Sequence, residues 1–229
     1  MRIAIVQSNY IPWKGYFDLI RAVDEFVLLD DVQYTRRDWR NRNRIKTAQG
    51  PAWLTIPVQS SGRFEAPIKE IVVSDHGWSA RHWRSICGSY ANAAHFHRYA
   101  ERFEAIFLGA LPANLSLINR RWLDFLCDLL GIRTKLSWSM DYDTLPGRNE
   151  RLISICQQAR ADTYVSGPSA RAYLDERLFR AAGLDVQYVD YGGYPEYDQL
   201  FPPFDHHVSV IDLIFNAGPR AMDYMRRIC

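Results

Sequence analysis

Two short, mainly apolar runs near the start of the chain, Ile3 to Val6 and Glu25 to Leu29, constrain the fold most. Each is too short for a stable helix. Each stops abruptly at polar residues, Gln7 after the first and Asp30-Asp31 after the second, as a buried strand does. Between them lie a loop marked by Asn9, Pro12 and Gly15 and a segment, Tyr16 to Val23, whose Phe17, Leu19, Ile20 and Val23 share one side of a short helix. Strand, loop, helix, strand is how a parallel α/β sheet begins. Later segments repeat the alternation: Arg133 to Ser137 reads as a strand, Arg148 to Arg160 as a helix, Thr163 to Val165 as a strand, and Val186 to Val189 as a strand after a further helix.

The middle of the chain breaks this rhythm. Ala52 to Val58 and Ile68 to Val73 read as two strands, a hairpin or an edge extension. Ser79 opens a helical block to about Leu108. Pro112 to Leu130 is the clearest helix, with Leu115, Ile118, Trp122, Phe125, Leu126 and Leu129 at helical spacing and Gly131 at the C′ position. The tail adds helices at Ser209 to Phe215 and Pro219 to Arg227. The sequence therefore predicts an α/β fold: a mostly parallel, Rossmann-like sheet in a single domain over residues 1–229, with a helical insertion at about 79–130.

Composition narrows the function. The 229 residues are 48% hydrophobic and 24% charged with a net charge of +2, so bulk electrostatic attraction to nucleic acid is not expected. No apolar run approaches a membrane span, and the apolar N-terminal stretch is too short for a signal peptide, so a cytoplasmic protein is expected. The four cysteines, Cys87, Cys127, Cys156 and Cys229, form no Cys-x-x-Cys motif. His95 and His97 are two apart, on different faces of a helix, with no third ligand in view, so no metal is expected.

The basic charge is local. Five arginines and one lysine fall within the eleven residues Arg36 to Lys46, interleaved with Trp39, Asn41 and Asn43 and preceded by Asp30, Asp31 and Tyr34. Guanidinium forks, side-chain amides and an aromatic face are suited to gripping a phosphate or carboxylate. In an extended conformation Arg40, Arg42 and Arg44 share one face and Asn41 and Asn43 the other. The competing readings are a solvated face or a nucleic-acid contact. Asp30 and Asp31 stand at a strand end, where a carboxylate can act as a base or hold a sugar hydroxyl. Adjacent strand residues point to opposite faces, so only one can address a given cleft. Pairing with the arginines is the structural alternative.

Three other stretches carry candidates. The loop after the first strand offers Asn9, Tyr10, Trp13 and Tyr16, at the carboxyl edge of the sheet where ligands bind; the alternative is a rigid turn plugged by Trp13 and Tyr16. Ser166-Gly167-Pro168-Ser169 between a strand and a helix has the shape of an anion cradle without the lysine of a P-loop, or is simply a capped turn. Asp212 and Asn216 are four apart on an apolar helix and share a face, where hydrogen bonding to a loop is the commoner explanation.

The stretches QSNYIPWKGYFDLI (7–20), DEFVLLDDVQYTRRDWRNRNRIKT (24–47), WLTIPV (53–58), TYVSGPSARAYLD (163–175) and SVIDLIFNAGP (209–219) resemble the WbqC-like protein family of bacteria. Members often open the pattern with His-Gln-Pro; Val6-Gln7-Ser8 stands here, so no role of that histidine carries over. The resemblance implies transfer of a small acyl or aminoacyl group to an amine, in polysaccharide or secondary-metabolite biosynthesis. A fainter, fold-level likeness is to nucleotidylyltransferases with HIGH-type motifs, whose two histidines are absent here. The expected substrate is a small molecule, such as a nucleotide-linked amino sugar. Arg40, Arg42 and Lys46 would hold a phosphate or carboxylate, Asp30 or Asp31 would serve the amine, and Asn9, Asn41 and Asn43 would fix polar groups. The donor would be an acyl thioester, or ATP with magnesium and a free acid. An acyl or peptidyl carrier protein is a further candidate partner and nucleic acid is not expected; the alternative to an enzyme is a non-catalytic protein that binds a carrier protein or nucleic acid.

Overall fold

A computed structural model describes residues 1–63 and 65–226. Five parallel strands form the main sheet: β1 (Arg2–Val6), β2 (Glu25–Leu28), β5 (Lys135–Trp138), β6 (Thr163–Ser166) and β7 (Asp185–Tyr188), in the order β5-β2-β1-β6-β7. The chain starts in the centre, winds outward through β2 to β5, then crosses back to β6 on the other side of β1. This is the doubly wound order, and the reversal between β1 and β6 is a topological switch point. The mostly parallel α/β sheet expected from the sequence is present.

Side chains alternate across the sheet, as the pleat requires. Ala4, Phe26 and Leu28 enter one core, with α1 (Lys14–Arg21) and the inserted helices. Ile3, Ile5 and Val27 enter a second core with Leu152, Ile155 and Cys156 of α5 (Arg148–Gln158) and Phe179 of α6 (Glu176–Ala181). Covered on both faces, the central strands are apolar throughout their middles.

Between β2 and β5 lie a hairpin, β3 (Arg42–Thr47) with β4 (Gly50–Thr55), and three helices, α2 (Trp78–Tyr90), α3 (Phe96–Leu108) and α4 (Leu115–Leu129). The helical insertion is thus where the sequence puts it. In α4, Asn114 caps the start by accepting from the Leu117 N–H, and Gly131 follows with φ +69. Trp122 is fully buried against the Phe103 and Phe107 rings. The final helix, α7 (Val210–Ala217), packs beside the insertion.

Some expected boundaries shift. β4 ends at Thr55, before Pro57, which has no N–H for a ladder. Ile68–Glu70 is a 3-10 turn rather than a strand. The Ile68 and Lys69 N–H groups are spent on Val32 O and Asp30 O, and only single bridges, Val58–Val73 and Val72–Asn114, remain beyond it. The tail from Gly218 to Tyr224 is 3-10 rather than α-helical; Arg227 and Cys229 lie outside the described residues. Among the described residues no helix is long and apolar enough to cross a membrane.

Candidate functional site

Strands β1 and β2 pair through to their carboxyl ends, from Ile3–Glu25 to Val6–Leu28. β1 and β6 pair only at Arg2–Thr163 and Ile3–Tyr164. Beyond those pairs the two strands diverge, and a cleft of about 890 Å³ opens between their carboxyl ends. Val6 and Gln7 line one wall, Ser166, Gly167 and Ser169 another. Gly147, Arg148 and Arg151 enter from the start of α5, and Arg40 from the segment after β2. Leu29 and Val32 contribute an apolar floor. The cleft is therefore at the switch point, where open α/β sheets hold ligands.

The two aspartates after β2 turn to opposite layers. Asp30 is fully buried toward the inserted helices. Its carboxylate accepts the Ser8 N–H at 2.9 Å and the Ser116 hydroxyl. Asn119 extends this hub, donating to Ser8 Oγ and to Arg40 O, both at 2.9 Å. Burial raises the Asp30 pKa, and these hydrogen bonds oppose the rise. Asp31 turns to the α5 side. It accepts the Ser139 hydroxyl at 2.5 Å and lies 3.7 Å from the Arg151 guanidinium that lines the cleft. Of the pair, Asp31 is the nearer to the cleft, one contact behind its lining through Arg151.

The loop after β1 is held from all sides. Ile11 has φ +36, a left-handed conformation costly for a β-branched residue. The Asn43 amide donates to Tyr10 O at 3.1 Å and Ile11 O at 3.0 Å, and the Ser209 hydroxyl donates to Ile11 O at 2.7 Å. Asn43→Ala is expected to cost about 1–3 kcal/mol, because Tyr10 O loses its side-chain donor and Ile11 O keeps only that of Ser209. Asn43→Asp should cost more, since a carboxylate would face those carbonyls. Denaturant titration of the two variants checks the order; equal costs would contradict this role.

Tyr10 is fully buried, its hydroxyl 2.9 Å from His82 Nδ1, while His82 Nε2 is 3.2 Å from Thr55 O. Burial pushes the His82 pKa down from 6.5 to about 4. Between those values the unfolded chain binds a proton that the folded one rejects, so this group's contribution weakens as the pH falls from about 6.5 to 4. Replacing His82 by Gln should therefore shrink the loss of unfolding free energy between pH 7 and 4.5 by about 2–3 kcal/mol. Chemical denaturation at the two pH values measures it; an unchanged loss would contradict a neutral His82.

The remaining sequence candidates divide between cleft and scaffold. Tyr16 donates to Gln7 O at 3.0 Å, and Trp13 packs edge-on against Tyr191 and Tyr194. Asn9 accepts from Arg40. Tyr34 is buried, its N–H bonded to Ala66 O. Arg42–Thr47 is a strand, as the two-residue spacing predicts, but Arg40 precedes it. On its inner face Asn43 serves the loop; Asn41, just before the strand, donates to Ile56 O at 2.8 Å. On its outer face the Arg42 guanidinium lies 4.1 Å from the centroid of the Trp53 ring, with Arg44 at 5.8 Å. Lys46 is buried and donates to Pro203 O. Asp212 is fully buried and accepts from Tyr197 at 2.7 Å and from Tyr90 and Gln199 at 2.9 Å. Asn216 Oδ1 accepts from the Leu200 N–H and its amide donates to Asp212 O. These last three residues clamp the irregular strap between β7 and α7. Arg40, Ser166 and Ser169 alone among the sequence candidates line the cleft, with Asp31 one contact behind.

Sequence reasoning passed over Gln7, Gln33, Gly147, Arg148, Arg151 and Tyr173, all cleft-lining. One signal was available. Arg148 and Arg151 are three apart, on one face, in the first turn of a helix opened by a glycine. Among the described residues no three or more His, Cys, Asp or Glu are grouped to hold a metal ion.

The WbqC-like protein family model matches residues 7–224, from the end of β1 to the last 3-10 turn. The chain belongs to the WbqC-like protein family. An uncharacterized Mycobacterium tuberculosis protein, Rv1507c, is 53% identical over 225 residues, covering 98% of this chain and 97% of its own length. No solved structure matches the chain. Within this WbqC-like protein, the stretches 7–20, 24–47 and 163–175 supply cleft-lining residues and 53–58 and 209–219 do not; residues 7–20 and 24–47 are tied together by Asn43, Asn119 and Asp30.

Proposed function

We propose that the protein is an enzyme that joins a small activated acyl or aminoacyl group to an amine, or to a hydroxyl, in the cleft between β1 and β6. The observation carrying this is the cleft itself: the splayed switch point with Arg40, Arg148, Arg151 and two serines on its walls and Asp31 behind them. The amine nitrogen attacks the acyl carbon, and the bond to the leaving group, a thiolate or phosphate, breaks. The proton lost by the amine goes to Asp31, directly or through one water. Ser139 and Arg151 orient that carboxylate. Ser166 and Ser169 are the candidate donors to the acyl oxygen, and the arginines compensate charge on the leaving group.

The acceptor is a small molecule such as a nucleotide-linked amino sugar or natural-product intermediate. That suits polysaccharide or secondary-metabolite biosynthesis, and with Cys87, Cys127 and Cys156 unpaired we assign the protein to the cytoplasm. The donor arrives as an acyl thioester, free or on a carrier protein. The exposed Trp39–Trp53 pair with Arg42 and Arg44 is the candidate surface for an acidic carrier. Incubation of the purified protein with amino-sugar nucleotides and acyl thioesters, followed by mass spectrometry for the amide, is the test. No product from any thioester, or from free acid with ATP, would defeat the reading.

A second reading, adenylation or nucleotidyl transfer, is favoured by the strand order, which is that of dinucleotide-binding sheets. It requires ATP and magnesium. Release of pyrophosphate on adding a carboxylic acid would select it over thioester transfer.

A further inference from the structure

We propose that the cleft recognises a nucleoside phosphate, with the phosphate at the N-terminus of α5 between Arg148, Arg151 and Arg40. This deepens the transferase reading and rests on it for the location of the site.

Three independent features converge. First, the N-cap of α5 is Gly147, whose φ of +100 and ψ of 151 lie in a region open essentially to glycine, and a glycine brings no side chain of its own to cap the helix start. Gly147 itself lines the cleft. The first-turn N–H groups have no intrahelical acceptor and carry the positive end of the helix dipole, so the helix presents an anion-binding terminus to the cavity.

Second, guanidiniums approach from opposite walls with unused donors. The Nε atoms of Arg40 and Arg151 are both buried and meet no hydrogen-bond acceptor among the described residues. Buried donors of this kind call for a partner. A guanidinium presents Nε–H and Nη–H as a fork matched to two oxygens of one oxyanion. Arg40 Nη1 donates to Asn9 and Nη2 to Asp38, each Nη keeping a second N–H, and among the described residues Arg151 has the 3.7 Å approach of Asp31. Arg148 rests on the Tyr173 ring, 4.8 Å from its centroid, which positions its charge at the mouth.

Third, the charge and shape select the ligand class. Arg40, Arg148 and Arg151 line the cavity, and no Asp or Glu does. Asp38 and Asp31 offset part of the charge of Arg40 and Arg151 from behind, and a phosphate or polyphosphate, with more oxygens and more charge than a carboxylate, can engage all three guanidiniums. The floor at Leu29 and Val32, with Ile5 and Leu152 also in the lining, is apolar and suits a flat base. About 890 Å³ accommodates a nucleotide.

One resident group opposes the ligand. The Glu150 carboxylate folds over Gly147, in the space that a Cβ there would fill. It occupies the positive end of α5 in place of a substrate anion, so an entering phosphate must turn it away. Removing its charge should strengthen phosphate binding.

Isothermal calorimetry with AMP, ATP with and without magnesium, adenosine and inorganic phosphate tests the proposal on the full-length protein. AMP or ATP should bind at least tenfold more tightly than adenosine, and more weakly as salt rises. Arg148→Gln and Arg151→Gln should each lose at least tenfold, Glu150→Gln should gain a few-fold, and Arg81→Gln, on the exposed face of α2, should change nothing. Should Arg151→Gln fail to fold without its Asp31 contact, Arg148→Gln and Glu150→Gln carry the comparison. Nucleotides binding no better than adenosine, or binding undiminished in Arg148→Gln, overturn the proposal. Inorganic phosphate binding as tightly as AMP overturns its nucleoside part. Transfer from a thioester donor that survives Arg148→Gln leaves the transferase reading standing without this inference. Nucleotide binding with no transfer from any donor does the reverse.

Discussion

Asp31→Asn is expected to slow the proposed transfer about 10²- to 10⁴-fold, the range lost when a positioned general base is removed, while the melting temperature stays within about 2 °C of wild type. The change is nearly isosteric. The Ser139 hydroxyl at 2.5 Å can still donate to the amide oxygen, and only a long ion pair to a partly exposed Arg151 is lost. Neutralising Asp31 also frees Arg151 for an incoming anion, so KM for a phosphate-bearing substrate should fall as kcat falls. That split separates a proton-handling role from a packing role, which would not tighten substrate binding. A variant that keeps the wild-type rate would remove Asp31 from the mechanism.

Asp30→Ala should show the converse signature, with a loss of about 2–4 kcal/mol in unfolding free energy and roughly 5–15 °C in melting temperature. The substitution strands the Ser8 N–H and the Ser116 hydroxyl in a dry interior. Release from burying a carboxylate offsets part of that cost. Asp30→Asn keeps an oxygen for the Ser8 N–H and should cost much less. Thermal and denaturant unfolding of the two variants decides the matter. If Asp30→Ala were as stable as wild type but inactive, Asp30 would be a catalytic group and the hub around Ser8, Ser116 and Asn119 incidental.

The two aspartates illustrate how much of the site was legible. Their position at the end of the second strand follows from the apolar run before them, and the alternation of strand side chains already requires them to diverge. Which of them meets a cleft depends on what packs on each face of the sheet. The face with α4 supplies Ser116 and closes over Asp30; the face with α5 supplies Arg151, which lines the cleft, and leaves Asp31 one contact behind it. The basic segment behaves similarly. Its two-residue spacing foretells a strand. The asparagines then serve the backbone of a strained loop, Arg42 and Arg44 lean on Trp53, and the cleft receives Arg40 from just before the strand. A stretch so dense in polar side chains reads as a binding site because the amides that bond buried carbonyls are the same groups that would bond a ligand.

Local sequence determined the elements. Short apolar runs ending in polar residues make the strands, helical spacing makes α4 and α5, and the strand–helix alternation makes the sheet parallel, because each of these depends on residues close together in the chain. The cleft could only be decided in three dimensions. It exists because β1 and β6, far apart in sequence, pair at two positions and then separate. Its charge comes from Arg40 and from Arg148 and Arg151, contributed by segments that meet only once the chain has crossed back over the sheet at the switch point.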